Sequence, residues 1–304
     1  MLIAIDHGNK QTKLVRSEPF ISGLSESEVQ PFGSDVLKYE DKYYQISDQR
    51  IPYRRDKTED NRFFILTLFG IAKEIEAAGA YVPGIIRVQL AVGLPPAHYG
   101  AQSKKFIQYF SRRGVISFTY RSKPYSILID DVACYPQSYA AAVSMLQTLT
   151  TVPLALVVDI GGYTLDYIQI KKGRSDLVSC DSLENGVIML YNKISSKVRA
   201  AQDILISEEE IDTILKGQPV QGLQEVAKVV EQCAQEFVSD LLSALRERQL
   251  ELRTVPVIFV GGGSILLKRH IEQSGKVGHP MFVEDIRANV KGYETLYRIA
   301  QNSR

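Results

Sequence analysis

Apolar residues in this chain follow two rhythms. Short runs at Leu2 to Ile5, Ile85 to Val92 and Val255 to Val260 are almost wholly apolar and end at Asp or Gly, which predicts buried strands. Elsewhere the spacing is helical. Phe63, Leu66, Phe69, Ile71 and Ile75 predict a helix over 62–78 closed by Gly79, and 224–250 predicts a long amphipathic helix free of Gly and Pro. Strands are also predicted at 13–16, 36–46, 115–120, 125–129, 154–158, 165–170 and 177–180, and helices at 101–113, 186–198 and 287–300. Ser207 to Glu210 forms a capping box for a helix reaching Leu215. Pro136 suits the first turn of a helix over 137–149. The order of hairpin, then helices and strands, restarts after Pro153, which predicts an α/β protein of two similar domains.

One phrase marks both starts. Leu2-Ile-Ala-Ile-Asp6-His-Gly8 and Leu156-Val-Val-Asp159-Ile-Gly161-Gly162 are each an apolar strand ending in Asp-x-Gly, half a chain apart. Alone, each is an ordinary turn, because Asp and Gly form turns in any case. As a pair they supply what a nucleotide with Mg²⁺ needs: carboxylates for the metal's water shell, and backbone N–H groups that glycine lets approach phosphate oxygens.

Composition narrows the alternatives. The chain has 304 residues, room for two domains, and its 36 basic residues are balanced by 35 acidic ones, so it lacks the basic footprint of a protein that grips nucleic acid directly. Between Arg50 and Arg62 the basic residues are interrupted by Asp56, Glu59 and Asp60, as in a solvated loop. Cys134, Cys180 and Cys233 are far apart and read as reduced thiols. The chain opens on a strand pattern rather than a signal peptide, and no apolar run is long enough to span a membrane, so a cytoplasmic location is expected. Four scattered histidines show no zinc spacing, and His7 is expected in a solvent-facing loop.

Candidate chemistry gathers in four places. In the first turn Gly8 and Asn9 offer N–H donors beside Asp6, and Lys13 can reach a phosphate oxygen. The second turn, Asp159-Ile-Gly161-Gly162-Tyr163-Thr164-Leu-Asp166, can wrap a terminal phosphate. Gly261-Gly262-Gly263-Ser264, after a strand and before a helix, suits backbone packed against a nucleoside where side chains would clash. Gln137, expected at a helix start, can orient a water for in-line attack on a γ-phosphate. Asp6 and Asp159 can polarise that water through Mg²⁺, and either could serve as the base. The chain has neither a GxGxxG turn at its N-terminus nor a Walker GxxxxGK[ST].

This order of motifs resembles the actin, Hsp70 and sugar kinase superfamily. Asp159 to Asp166, Val260 to Ser264 and Tyr39-Glu-Asp-Lys-Tyr-Tyr44 are most similar to the ParM/StbA-type bacterial actins, and the resemblance covers nearly the whole chain. It implies a duplicated RNase H-like fold, with two domains around a nucleotide cleft: domain I over 1–150 with a C-terminal helix, 288–304, packed back on it, and domain II over 151–287. It also implies Mg²⁺ with ATP or GTP, assembly into filaments, hydrolysis after assembly, and segregation of plasmid DNA through a centromere-binding adaptor. By matching position, Asp6, Gly8, Asn9 and Lys13 take the first phosphate turn, Asp159, Gly161, Gly162, Tyr163, Thr164 and Asp166 the second, and Gly261, Gly262, Gly263 and Ser264 the nucleoside. Gln137 stands where ParM proteins commonly carry Glu and actin carries Gln. Two other functions fit the same scaffold. A small-molecule kinase would use an Asp as base, for which Asp130 and Asp131 are the nearest candidates; a division or cell-shape actin would call for an amphipathic tail, and Ala300 to Arg304 is short and polar.

Overall fold

A computed structural model describes residues 1–302. Two compact units emerge, one formed by Met1–Val143 with the chain from Arg287 onward, the other by Ser144–Ile286.

The first unit runs β1 (Leu2–His7), β2 (Gln11–Leu14), β3 (Phe20–Ile21), β4 (Gly23–Ser27), β5 (Val36–Tyr39), β6 (Lys42–Arg50), α1 (Arg62–Ala77), β7 (Ile85–Leu94), α2 (Pro96–Phe110), β8 (Ile116–Tyr120) and β9 (Lys123–Pro136). Among the described residues of the second unit, α3 (Leu146–Thr151) is followed by β10 (Ala155–Ile160), β11 (Leu165–Lys171), β12 (Arg174–Leu183), α4 (Val187–Gln202), α5 (Glu208–Leu215) and α6 (Gln224–Glu247). Then come β13 (Pro256–Val260), α7 (Gly262–Leu266), α8 (Lys268–Gln273) and β14 (His279–Phe282). The last helix, α9 (Ala288–Asn302), belongs to the first unit.

Duplication is visible in the ladders. The first sheet contains the order β3-β2-β1-β7-β9 and the second is β12-β11-β10-β13-β14. In each, the first strand pairs antiparallel with its hairpin partner and parallel with the strand beyond the helices. Asp6 faces Lys13 across one hairpin, and Asp159 faces Asp166 at the same place in the other. Strands β10 and β13 are buried on both faces, as their apolar runs predict, whereas β7 alternates, with Ile85, Arg87 and Gln89 exposed, before it too is buried on both faces from Leu90 to Leu94. These are the two mixed sheets of an α/β fold. In the first, β8, β5, β6 and β4 extend the sheet past β9.

Helix α1 packs on β1 and β2 and buries Phe64, Leu68, Phe69 and Ile75 in the core of the first unit, while α6 buries Val230, Phe237, Leu241 and Leu245 in the core of the second unit. Ser207 accepts from the Glu210 N–H and Glu210 accepts from the Ser207 N–H, so the capping box forms as read.

Three expectations need correction. The helix over 137–149 does not form: β9 stays extended through Pro136, and the Gln137 N–H donates to the Leu94 carbonyl at 2.8 Å, as in a continuing parallel ladder. Ser138 then takes a left-handed φ of 62°, and only a 3₁₀ turn at Ala141–Met145 and the short α3 follow. His7 is not in a solvent-facing loop but fully buried at the end of β1, its ring stacked 5.2 Å from Phe110. The Arg50 to Arg62 segment is a paired surface with Arg54 on Glu59 and Arg62 on Asp60, yet Lys57 is buried, its ammonium donating to the His7 carbonyl.

Candidate functional site

Asp6 is buried at the end of β1 because residues of this strand are covered on both faces. A lone carboxylate there would be costly, and three groups meet it. Lys13 Nζ lies 3.4 Å from Oδ2, Gln137 Nε2 donates to Oδ1 at 2.8 Å, and Tyr293 Oη donates to the same Oδ1 at 3.4 Å. Lys13 lies inside β2, opposite Asp6, rather than at a strand start. A carboxylate only accepts, so the donor arm of the Gln137 amide faces Asp6 and its carbonyl oxygen is aimed away.

The first turn is held from behind by its carbonyls. Lys57 donates to the His7 carbonyl, Ser22 Oγ to that of Gly8 at 2.6 Å, and the Ser22 N–H to that of Lys10 at 3.2 Å. In a trans peptide the N–H points opposite the C=O, so the Asn9 and Gln11 N–H groups are directed away from Ser22. The Gly8 N–H itself donates to the Asp6 carbonyl at 3.0 Å, so of the two donors expected at this turn Asn9 is the outward one. His7 supports the floor. Thr67 Oγ donates to the Phe63 carbonyl, so His7 Nε2–H donates to Thr67 Oγ at 2.7 Å, leaving His7 Nδ1 buried without a partner. Burial and nearby Lys57 push this imidazole down to about 3, which keeps it neutral.

The second turn uses the same device with a helix. The Gly186, Val187 and Ile188 N–H groups at the start of α4 donate to the Tyr163, Gly161 and Gly162 carbonyls at 2.9, 3.1 and 2.9 Å. Those bonds satisfy the helix's first-turn donors, and they turn the N–H groups of Gly162, Tyr163 and Thr164 to the opposite side. Gly186 is required, since a Cβ would lie 2.4 Å from the Gly162 carbonyl oxygen. Thr164 Oγ donates to Asp166 Oδ2 at 2.9 Å. With Asp159 and Asp166 directly opposed, this hairpin concentrates oxygen donors where the first pairs Asp with Lys, a donor set that suits a hard divalent cation. Asp6, already bonded on both oxygens, fits such a cation only through its water shell.

The glycine turn after β13 is part of the same construction. Gly261 has a φ of 86°, and a Cβ there would come 2.2 Å from Asp159 Oδ1. At Gly263 a Cβ would meet Ile160 and Val187 within 2.7 Å. Only Gly262 of the three faces open space, so two glycines serve packing within their own unit and one is left for a ligand's approach. Ser264 is buried and its hydroxyl has no partner.

Each unit thus brings its predicted residues together around its own strand-end turn. Ser22, Lys57, Gly186 and Tyr293 escaped the sequence reading; Gly186, a glycine directly before an amphipathic helix pattern, was the one with a visible signal. Asp130 and Asp131 are engaged elsewhere. Arg87 forks onto Asp130 at 2.7 and 2.8 Å, and Tyr297 Oη donates to Asp131 at 2.8 Å.

Comparison with known proteins follows the same division. Residues 4–139 match the N-terminal domain of actin-like proteins, and residues 157–273 match the C-terminal domain of archaeal MreB-like actin homologues. No curated protein matches the chain by sequence. Among solved structures, apo pSK41 ParM is similar with a TM-score of 0.73 and 16% identity, over 99% of this chain and 98% of that one. The archaeal actin homologue Ta0583 gives 0.76 and 20%, over 98% and 99%, and its complex with ADP gives 0.74 and 17%, over 98% and 99%. A 15-stranded ParM filament from Clostridium botulinum gives 0.73 and 16%, over 98% and 99%. With an actin-like N-terminal domain over 4–139 and an MreB-like C-terminal domain over 157–273, the chain belongs to the actin-like proteins, and it shares the fold of the solved ParM structures.

Proposed function

We propose that this chain binds ATP or GTP with Mg²⁺ at its strand-end turns, hydrolyses it, and assembles with copies of itself into filaments. The observation that carries this reading is the duplicated turn. In both units a buried Asp ends the first strand, and the turn beside it has its carbonyls tied behind, so that its amides are presented as anion donors. Asn9 and Lys13 of the first turn, and Gly162, Tyr163 and Thr164 of the second, take phosphate oxygens. Gly262 admits the nucleoside, with Gly261 and Gly263 shaping its turn. Asp6 and Asp159 are the residues that would hold Mg²⁺, through its water shell, and the ion would offset phosphate charge. Gln137, its amide nitrogen on Asp6, turns its carbonyl oxygen outward to accept a hydrogen bond from the attacking water and align it.

Filament structures of ParM and of another actin-like protein among the structural relatives support self-assembly. The finer role, segregation of plasmid DNA through a centromere-binding adaptor in the cytoplasm, follows the ParM resemblance. The balanced charge agrees with an adaptor, rather than this chain, gripping the DNA. A kinase reading loses its candidate bases, since Asp130 and Asp131 are held by Arg87 and Tyr297.

The test is direct. Purified protein is mixed with ATP or GTP and Mg²⁺, and nucleotide binding, phosphate release, light scattering and electron micrographs are recorded. Nucleotide-dependent filaments with phosphate release without an acceptor are expected, and Asp159→Ala should abolish both. Failure to bind either nucleotide, or acceptor-dependent ADP formation by a monomer, would overturn the reading.

A further inference from the structure

Helix α9 touches the Gln137 segment at two points and its target Asp6 at a third. Asn289 Oδ1 accepts the Ser138 N–H at 3.0 Å. One turn on, Gly292 lies so close to the segment that a Cβ would come 2.0 Å from the Ala140 carbonyl oxygen. Next to it, Tyr293 reaches Asp6 Oδ1, the oxygen that already takes the Gln137 amide. The Tyr293 ring is fully buried, stacks 6.3 Å from Tyr135, and occupies the place of any side chain at Gly93, where a Cβ would lie 2.2 Å from its Oη. Around these contacts Val290, Tyr293 and Tyr297 pack with Ala4, Ala91 and Ala140 in a small cluster of their own.

Ser138 shows what this contact maintains. A buried, non-glycine residue at a φ of 62° carries a cost of about 1 kcal/mol and persists only where its surroundings over-determine it. Its hydroxyl has no partner; its backbone is held by the N–H bond to Asn289 on one side and, on the other, by its carbonyl, which accepts the Ala142 N–H at 3.1 Å. Gln137 is therefore flanked by a ladder bond to Leu94 on one side and the Asn289 bond on the other, and its target carboxylate is shared with Tyr293.

We propose that Asn289 and Tyr293 are positioning residues: they hold the Gln137 amide on Asp6 so that its carbonyl oxygen stays aimed at the attacking water. The C-terminal helix thereby controls turnover of bound nucleotide while leaving its binding to the turns. This inference rests on the hydrolytic reading above.

The test uses the full chain with Tyr293→Phe, Asn289→Ala and Asn289→Asp. Tyr293→Phe keeps the ring and removes one oxygen, so the fold is retained; Asn289→Asp keeps the acceptor for the Ser138 N–H. Nucleotide affinity, phosphate release per bound nucleotide, and the ¹⁵N side-chain amide resonance of Gln137, assigned by its loss in Gln137→Ala, are measured. Tyr293→Phe and Asn289→Ala should each slow release from the bound state by about tenfold with affinity held, and shift the Gln137 resonance; Asn289→Asp should recover most of the rate. An unchanged rate and an unmoved resonance in both variants would overturn the proposal, as would a loss confined to affinity. Should the wild-type protein neither bind nor hydrolyse nucleotide, the functional reading falls, and the Gln137 resonance in the variants alone decides whether α9 positions that side chain.

Discussion

Gln137 and Asp6 are 131 residues apart in the chain, yet the Gln137 amide nitrogen lies 2.8 Å from Asp6 Oδ1. The bond joins the end of β9 to the end of β1 across β7, and it determines which arm of the amide is left for chemistry. Gln137→Ala should lower phosphate release by about a hundredfold while leaving nucleotide affinity within a few-fold, because the turn amides are untouched. A parallel collapse of affinity would show Gln137 to be a binding residue instead.

Gly261 and Gly262 should part company on substitution. Gly261→Ala sets a methyl against Asp159 Oδ1 in a left-handed backbone and should cost about 3 kcal/mol, read by urea unfolding. Gly262→Ala meets open space and should change stability by no more than about 0.5 kcal/mol, while weakening nucleotide binding if the nucleoside lies there.

Stability should fall on mild acidification through His7. Its ring stays neutral in the folded chain down to about 3, whereas in the unfolded chain it takes a proton near 6.5. Protons therefore favour unfolding between those values: the contribution is complete above about 6.5 and declines by about 1.4 kcal/mol per pH unit below it. Urea midpoints at pH 7 and 5 for wild type and His7→Gln measure the effect, and the variant should show the shallower slope.

Glu74 of α1 is wholly buried and ties the chain that leaves β2. Its Oε1 accepts the Arg16 and Ser17 N–H groups at 2.8 and 2.9 Å, and its Oε2 accepts Arg16 Nη1 at 2.9 Å. Glu74→Ala strands two backbone donors and should destabilise the protein by about 3 kcal/mol in urea titration. Because β2 carries Lys13, nucleotide affinity should fall as well.

Legibility differed by kind of residue. The parallel strands β10 and β13 were readable because burial on both faces leaves apolar runs, β7 because its buried positions alternate with exposed ones before a wholly buried end, and α5 because its cap is a local pair. The short strands β3, β4 and β14 were not, since two to five half-exposed residues carry no period. The 137–149 helix misled for a definite reason. Pro136 suits a helix start, but the ladder to Leu94 and the Asn289 contact to Ser138 outweigh that local preference.

By itself the sequence determined the duplicated α/β plan, the two Asp-bearing turns and the glycine turn, because strand burial, turn formation and helix capping are settled by neighbours along the chain. Tertiary structure alone decided which groups meet at those turns. Lys57 and Ser22 hold the first from behind, α4 holds the second, Asp159 claims the space of a Gly261 side chain, and Tyr293 shares Asp6 with Gln137. Buried carboxylates and carbonyls must find partners wherever the folded chain brings donors, and that requirement leaves no periodic trace in sequence.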